Sequence, residues 1–220
     1  MSHHQTSLLF PATFQRKKYW KFYDRPSHSE VIFKKSSNMM SKILLAHGLR
    51  GSPFIPMWYQ WLKRELKKNG FVVKVPQFPS PGAPKKDEWI ATIFTEFDND
   101  LNGAILVGHS LGGLAILHAI EGAKDNVRVR AVILVGTPFS DVGRPEIKEF
   151  LSALNYEKIR SRVGSFIYIY SLDDPHVPFS HGQEFEKHIG GQLIEMNGMG
   201  HFQANETFME ILDVIKKLIE

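Results

Sequence analysis

The chain has 220 residues, of which 43% are hydrophobic and 12% are aromatic, so it is long and apolar enough to bury the core of one domain. It contains no cysteine, which excludes disulfide bonds, thiolate zinc sites and a cysteine nucleophile. The net charge of +4 arises in residues 1–40, which carry seven Lys and Arg residues against two Asp and Glu residues. Residues 41–220 carry 20 Lys and Arg residues and 21 Asp and Glu residues. This part of the chain therefore has no basic bias that would attract nucleic acid.

The first 40 residues form a basic segment, in which residues 16–23 mix basic and aromatic side chains. Such a run is found in nucleic-acid and membrane-surface patches and in weak organellar transit signals. We interpret residues 1–40 instead as a poorly ordered extension, or as residues that precede a true start at Met39 or Met40. The first apolar run stops at Pro11, too early for a secretory signal, and no run approaches the ~18 residues that cross a membrane. We therefore expect a cytoplasmic protein without a membrane span.

From residue 42 onward, short runs rich in Ile, Leu and Val alternate with longer amphipathic segments. The predicted strands are 42–46, 71–75, 104–107, 129–135, 165–170 and 191–196. The predicted helices are 55–69, 87–99, 111–122, 180–189 and 205–219. Nearly continuous apolar strands indicate burial on both faces, so we predict an α/β domain over 41–220 with about six mainly parallel strands and helices on both faces. The mixed segment 138–163 is too short for a lid domain, so we expect a minimal cap and an open site.

The most specific motif is the pentapeptide Gly108-His109-Ser110-Leu111-Gly112, which separates a predicted strand from a predicted helix. A G-x-S-x-G turn in this position is typical of a nucleophile elbow, which lifts the serine Oγ clear of the backbone. The two glycines are needed because a Cβ at either position would collide with the strand or the helix. We therefore predict that Ser110 is a nucleophile.

Two further residues follow predicted strands and complete the chain order Ser, Asp, His that accompanies such a turn. Asp174 lies beyond strand 165–170, and His201 lies beyond strand 191–196. A serine hydroxyl attacks only when a neutral imidazole takes its proton, and a carboxylate holds that imidazole in the right tautomer. The sequence therefore predicts a triad of Ser110, Asp174 and His201.

Each partner of Ser110 has competitors. Asp173 precedes Asp174, but the spacing of Asp174 to the Val-Pro pair at 177–178 favours Asp174, and Asp173 would cap the turn or the next helix. The other histidines of the folded part that compete with His201 are His109, His118, His176, His181 and His188. We interpret His118 as a packed or surface residue, and the last three as loop and helix-surface residues. His109 could line the pocket, but a residue next to Ser110 in a tight turn points away from it and cannot readily serve as its base. No histidine has the spacing of a metal ligand, so we expect neither a metal nor a cofactor.

The segment His47-Gly48-Leu49-Arg50-Gly51-Ser52 directly follows the first strand, where one oxyanion donor is expected. We assign the oxyanion hole to the backbone N–H groups of Leu49 and Leu111, each worth about 3 kcal/mol of barrier height. His47 is predicted to support this loop by a hydrogen bond. The predicted substrate-binding residues are His47, Phe54, Trp58, His109 and Phe139. For the three aromatic residues, ordinary packing is an equal alternative.

These motifs, together with Ser171-Leu172-Asp173-Asp174-Pro175 and Gly200-His201-Phe202, make residues 41–220 resemble the small serine hydrolases related to retinoblastoma-binding protein 9, a branch of the α/β-hydrolase superfamily. The resemblance implies a three-layer α/β-hydrolase fold. It also implies hydrolysis of a carboxylic ester, thioester or small amide of a small acyl substrate, with an acyl-enzyme on Ser110. Retinoblastoma binding is not implied, because the associated Leu-x-Cys-x-Glu motif needs a cysteine. The alternative is a non-catalytic binding protein of the same fold, which would hold an acidic partner through residues 16–23.

Overall fold

The computed structural model describes residues 42–55 and 57–219, and within them one six-stranded sheet forms the centre of the fold. Its strands are β1 Lys42–Ala46, β2 Val72–Lys74, β3 Ile105–His109, β4 Val129–Val135, β5 Val163–Ser171 and β6 Gln192–Met196. The spatial order is β2-β1-β3-β4-β5-β6, and every neighbouring pair is parallel. This confirms the prediction of six mainly parallel strands, whose carboxyl ends face the same edge of the sheet.

Helices cover both faces of the sheet. They are α1 Trp58–Lys68, α2 Lys86–Thr95, α3 Leu111–Gly122, α4 Tyr156–Ser161, α5 Ser180–Ile189 and α6 Met209–Lys217. The alternation of side chains along each strand divides the core into two clusters. In β1, for example, Leu44 packs with residues of α2, α3 and α5 on one face, whereas Leu45 packs with residues of α1 and α6 on the other. The fold therefore has three layers.

Two helices next to the candidate site differ in how they are buried. Helix α1 is amphipathic and buries Trp58, Tyr59, Leu62 and Leu66 along one stripe, with lysines in its last turn. Helix α3 is buried from Leu111 to Ile120, on all its faces, because it lies between the sheet and the neighbouring helix α2. Ser110, the residue that precedes α3, is therefore held by a rigid helix.

The segment 138–163 contains only a 3-10 helix, Pro145–Leu151, and the short α4. This agrees with the expectation of a minimal cap. Across the described residues, every helix is too short or too polar to span a bilayer. The predictions for residues 1–40, including the basic aromatic run 16–23, fall outside the described residues.

Candidate active site

Ser110 occupies the tight connection between β3 and α3. Its backbone has φ 51° and ψ −125°, a conformation that few residues other than glycine adopt. Its N–H donates to the carbonyl of Val135 at 2.8 Å, which ties the turn to the neighbouring strand β4. The strained conformation is thus held between a buried strand and a buried helix.

Three glycines allow the backbone to approach this turn closely. A Cβ on Gly108 would collide with the backbone of Gly113, and a Cβ on Gly112 would lie 2.5 Å from the carbonyl oxygen of Ala46. A Cβ on Gly48 would lie 2.8 Å from the Ser110 Cβ and 3.3 Å from its Oγ. The loop after β1 is therefore packed directly against the serine.

Asp174 and His201 meet at the carboxyl ends of β5 and β6. His201 Nδ1–H donates to Asp174 Oδ2 at 2.7 Å, and both side chains are almost fully buried. The other carboxylate oxygen, Oδ1, accepts the backbone N–H groups of His176 at 2.8 Å and Val177 at 2.9 Å. These contacts fix the histidine tautomer, because Nδ1 carries the proton and Nε2 is left as the acceptor.

The electrostatics of this pair keep the carboxylate charged. Burial opposes ionisation of Asp174, but the hydrogen bond from His201 and the two backbone donors outweigh it and hold the pKa of Asp174 below its ordinary value. Gly136, at the end of β4, faces the same pair with φ 50°. A Cβ there would lie 3.3 Å from both Asp174 Oδ2 and His201 Nδ1. A glycine at 136 therefore leaves room for the hydrogen-bonded pair of Asp174 and His201.

The competing carboxylate, Asp173, has a different set of partners. It accepts a hydrogen bond from the Ser171 hydroxyl and from the backbone N–H groups of Gly198, at 2.9 Å, and Gly200, at 3.3 Å. The hydrogen bond from Ser171 is the main cause that lowers the pKa of Asp173. Of the two carboxylates, Asp174 contacts His201, whereas Asp173 fastens the loop that carries His201 to the end of β5.

The loop after β1 is fastened by His47, which is fully buried. Its Nδ1–H donates to the Gly48 carbonyl at 2.9 Å, and its Nε2 accepts the Phe78 N–H at 3.2 Å. Burial lowers the pKa of His47 despite the opposing hydrogen bond to Gly48, which keeps the ring neutral. The N–H of Arg50 donates to the Pro81 carbonyl at 2.6 Å. Leu49 is thereby presented on a loop that is held at both ends.

His109 forms a buried relay behind the serine. Its Nε2–H donates to the backbone carbonyl of His201 at 2.8 Å, and its Nδ1 accepts the Tyr59 hydroxyl at 2.7 Å. Burial lowers the pKa of His109 to about 3, so the ring is neutral near pH 7. This histidine therefore positions the backbone of the His201 loop.

A cavity of about 430 Å³ opens where these elements meet. It is lined by Leu49, Arg50, Gly51, Ile55, Met57, Ser110, Leu111, Pro138, Val142, Arg144, Ile147, His176, Val177, His201 and Gln203. Ser110, His201 and both predicted oxyanion residues thus share one cavity. In the described part of the chain, the Ser110 hydroxyl makes no hydrogen bond, so its contact with His201 is not formed. A wider depression on α1, lined by Lys63, Lys67 and other long side chains, contains no serine, histidine or carboxylate among its described lining residues.

The five residues predicted to bind substrate lie outside the lining of this cavity. His47 and His109 are buried beneath it, and Trp58 is buried on α1, where its Nε1–H donates to the Phe202 carbonyl. Phe54 is 83% exposed on the surface. Phe139 packs between Tyr156, Phe185 and His188. The positions of Trp58 and Phe139 agree with the packing alternative, and the cavity lining combines aliphatic side chains with two arginines, two histidines and a glutamine.

Three residues near the site were not predicted to take part. Tyr59 carries no motif, and its contact with His109 depends on how α1 packs on the sheet. His176 was interpreted as a loop residue, but it lines the cavity and its ring centroid lies 5.2 Å from that of His201. Gly136 had a detectable signal, since it is a glycine directly after a predicted strand. His118, by contrast, is packed on α3 and donates to the Phe150 carbonyl.

Comparisons with known proteins agree with this geometry. A family model described as serine hydrolase matches residues 43–220. The protein YdeN of Bacillus subtilis (strain 168) is 29% identical over 175 residues, which cover 79% of this chain and 92% of YdeN. The crystal structure of the B. subtilis ydeN gene product gives a TM-score of 0.77 at 26% identity, covering 82% of this chain and 99% of that one.

A more distant structure supports the fold alone. Est1E from Butyrivibrio proteoclasticus gives a TM-score of 0.63 at 14% identity, covering 82% of this chain and 88% of its own. Together with the six parallel strands and the helices on both faces, these likenesses establish an α/β-hydrolase fold.

Proposed function

Because the chain belongs to the serine hydrolase family, we propose that it cleaves a carboxylic ester, thioester or small amide through an acyl-enzyme on Ser110. One observation carries this proposal. Ser110 and His201 line the same cavity, and His201 is hydrogen-bonded to the buried carboxylate of Asp174. Nucleophile, base and orienting acid are the three groups that this chemistry needs. The narrower kinship with the retinoblastoma-binding protein 9 branch stays a prediction from the motifs.

In the proposed acylation step, His201 Nε2 takes the proton of Ser110 while Oγ attacks the substrate carbonyl carbon. The imidazolium then gives this proton to the leaving alcohol, thiol or amine as the tetrahedral intermediate collapses. Water, deprotonated by the same nitrogen, releases the acid and restores Ser110. Hydrogen bonds between nucleophile and base are often long without substrate and tighten when it binds, so the unformed contact between Ser110 and His201 is compatible with this role.

The backbone N–H groups of Leu49 and Leu111 are the proposed oxyanion donors. Leu111 is the first residue of α3, and the first N–H groups of a helix have no partner within it. The positive end of the helix dipole lies at the same place and favours a developing negative charge. Leu49 lies on the loop that His47 and Arg50 fasten, so its N–H needs little rearrangement during the reaction.

The cavity favours a small acyl substrate. At about 430 Å³ it is within the range of small-molecule sites, and most of its walls are aliphatic. The segment 138–163 leaves the cavity without a lid domain. We therefore propose a compact acyl group or leaving group.

The experiment that tests the proposal is intact-mass analysis after treatment with a fluorophosphonate probe. The wild-type chain should gain one adduct, and Ser110→Ala and His201→Ala should gain none under the same conditions, because the first lacks the nucleophile and the second its base. His188→Ala, which changes an exposed histidine of α5, is the matched control and should label like the wild type. A folded wild-type chain that forms no adduct contradicts the proposal.

A further inference from the structure

The charges that line the cavity are all of one sign. Arg50 and Arg144 are both lining residues, and the described part of the lining contains no Asp or Glu. The carboxylate of Asp174 lies close by, but its side chain is 0% exposed and its oxygens are taken by His201 and two backbone donors. The mouth of the cavity is therefore cationic, and the charge of Asp174 is shielded from it.

Arg144 is an exposed residue that precedes the 3-10 helix Pro145–Leu151. Among the described residues it forms no ion pair. The two nearest carboxylates along the chain have other partners. Asp141 Oδ1 accepts the Gly143 N–H at 2.8 Å, and Glu146 pairs with Arg50 at 3.1 Å. The Arg144 guanidinium is therefore free to bind an anion.

Arg50 is held beside Arg144 but is already paired. Its backbone is fixed by a left-handed conformation, φ 56°, and by its bond to Pro81, and its guanidinium contacts Glu146. The Arg50–Glu146 pair is neutral, so Arg144 is the lining cation without a salt-bridge partner among the described residues. A single unpaired guanidinium matches one carboxylate group.

We propose that this cavity selects acyl substrates that carry a carboxylate, which Arg144 binds at the mouth while the reacting carbonyl lies at Ser110. The inference rests on the proposed function, since it names the substrate class of the same site. A planar guanidinium binds a carboxylate through two parallel N–H···O bonds. The aliphatic side chains Val142 and Ile147 line the same cavity, where they can contact the alkyl chain that joins the carboxylate to the reacting carbonyl.

The first experiment compares two ester pairs that differ only in one charge. One pair places the carboxylate on the acyl group, with mono-4-nitrophenyl adipate and its methyl ester. The other places it on the leaving group, with 4-carboxyphenyl butyrate and its methyl ester. In the wild type, kcat/KM of the acid should exceed that of its neutral partner by about tenfold in one of the pairs, mainly through a lower KM. The pair that shows the preference identifies which side of the substrate faces Arg144.

The Arg144 variants then assign the preference. Arg144→Gln should bring the acid-to-neutral ratio to about one, and Arg144→Lys should restore part of it, because a lysine keeps the charge but loses the two-bond geometry. Lys148→Gln is the matched control. It removes an exposed charge from the same 3-10 helix, outside the cavity lining, and should keep the wild-type ratio. A wild-type ratio near one in both pairs, or a ratio that Arg144→Gln leaves unchanged, overturns the inference.

A second readout does not need turnover of these esters. Hexanoate should slow fluorophosphonate labelling of Ser110 more than hexanamide does, and Arg144→Gln should remove the difference. Equal protection by the two compounds overturns the inference while the labelling itself still supports the proposed function. A folded wild-type chain that is not labelled contradicts the proposed function instead, so the two failures are distinguishable.

Discussion

At the scale of single residues, the adjacent carboxylates Asp174 and Asp173 have different hydrogen-bond partners, so their substitution by asparagine should reduce kcat to different extents. Asp174→Asn removes the charge that stabilises the imidazolium and disturbs the tautomer of His201, so kcat should fall by about 10³–10⁴-fold. Asp173→Asn keeps an oxygen that can accept from the Gly198 and Gly200 turn, so we expect a loss of about tenfold or less. Steady-state kinetics on one activated ester measures both. Equal losses would mean that the contact between Asp174 and His201 does not orient the base.

The Tyr59 hydroxyl reaches the His201 loop through His109, which makes Tyr59 a positioning residue. Tyr59→Phe leaves the buried His109 Nδ1 without a donor, which should lower the free energy of unfolding by about 1–3 kcal/mol. Because His109 holds the His201 carbonyl, kcat should fall while KM stays close to the wild-type value.

A matched control distinguishes positioning from general destabilisation. Tyr168→Phe likewise removes one hydrogen bond, because the Tyr168 hydroxyl donates to the backbone carbonyl of Gly190 at 2.7 Å, and Tyr168 lies outside the cavity lining. Tyr168→Phe should cost stability with kcat unchanged. If the two variants reduce kcat equally, the relay from Tyr59 to His201 has no catalytic effect.

These residues also show what sequence reasoning offers at this scale. Ser110, Asp174 and His201 are predicted from chemically required residue types that follow apolar strands, and the structure places Asp174 against His201 and His201 in the same cavity as Ser110. The contact of Tyr59 with His109 and the contact of His109 with His201 span 50 and 92 positions of the chain. They depend on the packing of α1 and on the path of the loop after β6. No local pattern encodes either one.

At the scale of elements, the centres of the strands and helices were predictable and several ends were not. Strand β4 and helix α5 have the predicted bounds. The helix predicted over 87–99 ends at Thr95, because Asp98 and Asn99 adopt left-handed backbone conformations. The helix predicted from 205 begins at Met209, because the carbonyl of Asn205 accepts the N–H of Trp58 instead. Apolar periodicity thus identifies an element, and contacts between elements set its ends.

The end of β4 gives a test of how an element shapes the site. Gly136→Ala places a methyl group 3.3 Å from Asp174 Oδ2 and His201 Nδ1, in a backbone conformation that favours glycine. The two side chains must then separate, so kcat should fall by more than about tenfold, the loss expected when a positioned base is displaced. The free energy of unfolding should fall by about 1 kcal/mol or more.

Gly70→Ala is the matched control, because it has φ 83° but no atom within 4 Å of the added Cβ. It should lose a similar free energy of unfolding and keep its kcat. Equal kcat in the two variants would show that Gly136 serves the turn alone and not the pair of Asp174 and His201.

At the scale of the whole molecule, strand order explains why the loop after β1 touches the serine after β3. Strands β1 and β3 are neighbours in the sheet, although β2 lies between them in the chain, so their carboxyl ends lie side by side. The chain leaves β1 toward β2 on one side of this pair and leaves β3 toward β4 on the other side. This change of direction makes the place a topological switch point. Ligands of parallel sheets bind at such points. Strands β4, β5 and β6 then bring Gly136, Asp174 and His201 to the same edge in chain order. The sequence predicts parallel strands, but their order comes from long-range packing that it does not display.

The described strands, core clusters and cavity lining lie between residues 42 and 219. If residues 1–38 form an extension, as interpreted from the sequence, a chain that begins at Met39 should keep the melting temperature of the full chain and its kcat/KM on a neutral ester within about twofold. The deletion removes seven Lys and Arg with two Asp and Glu, so the net charge changes from +4 to −1. A full-length variant with Arg16, Lys17, Lys18 and Lys21 changed to Gln separates the effect of charge from that of length. If the shortened chain stays folded but loses activity, while the charge variant keeps it, residues 1–38 complete the active site.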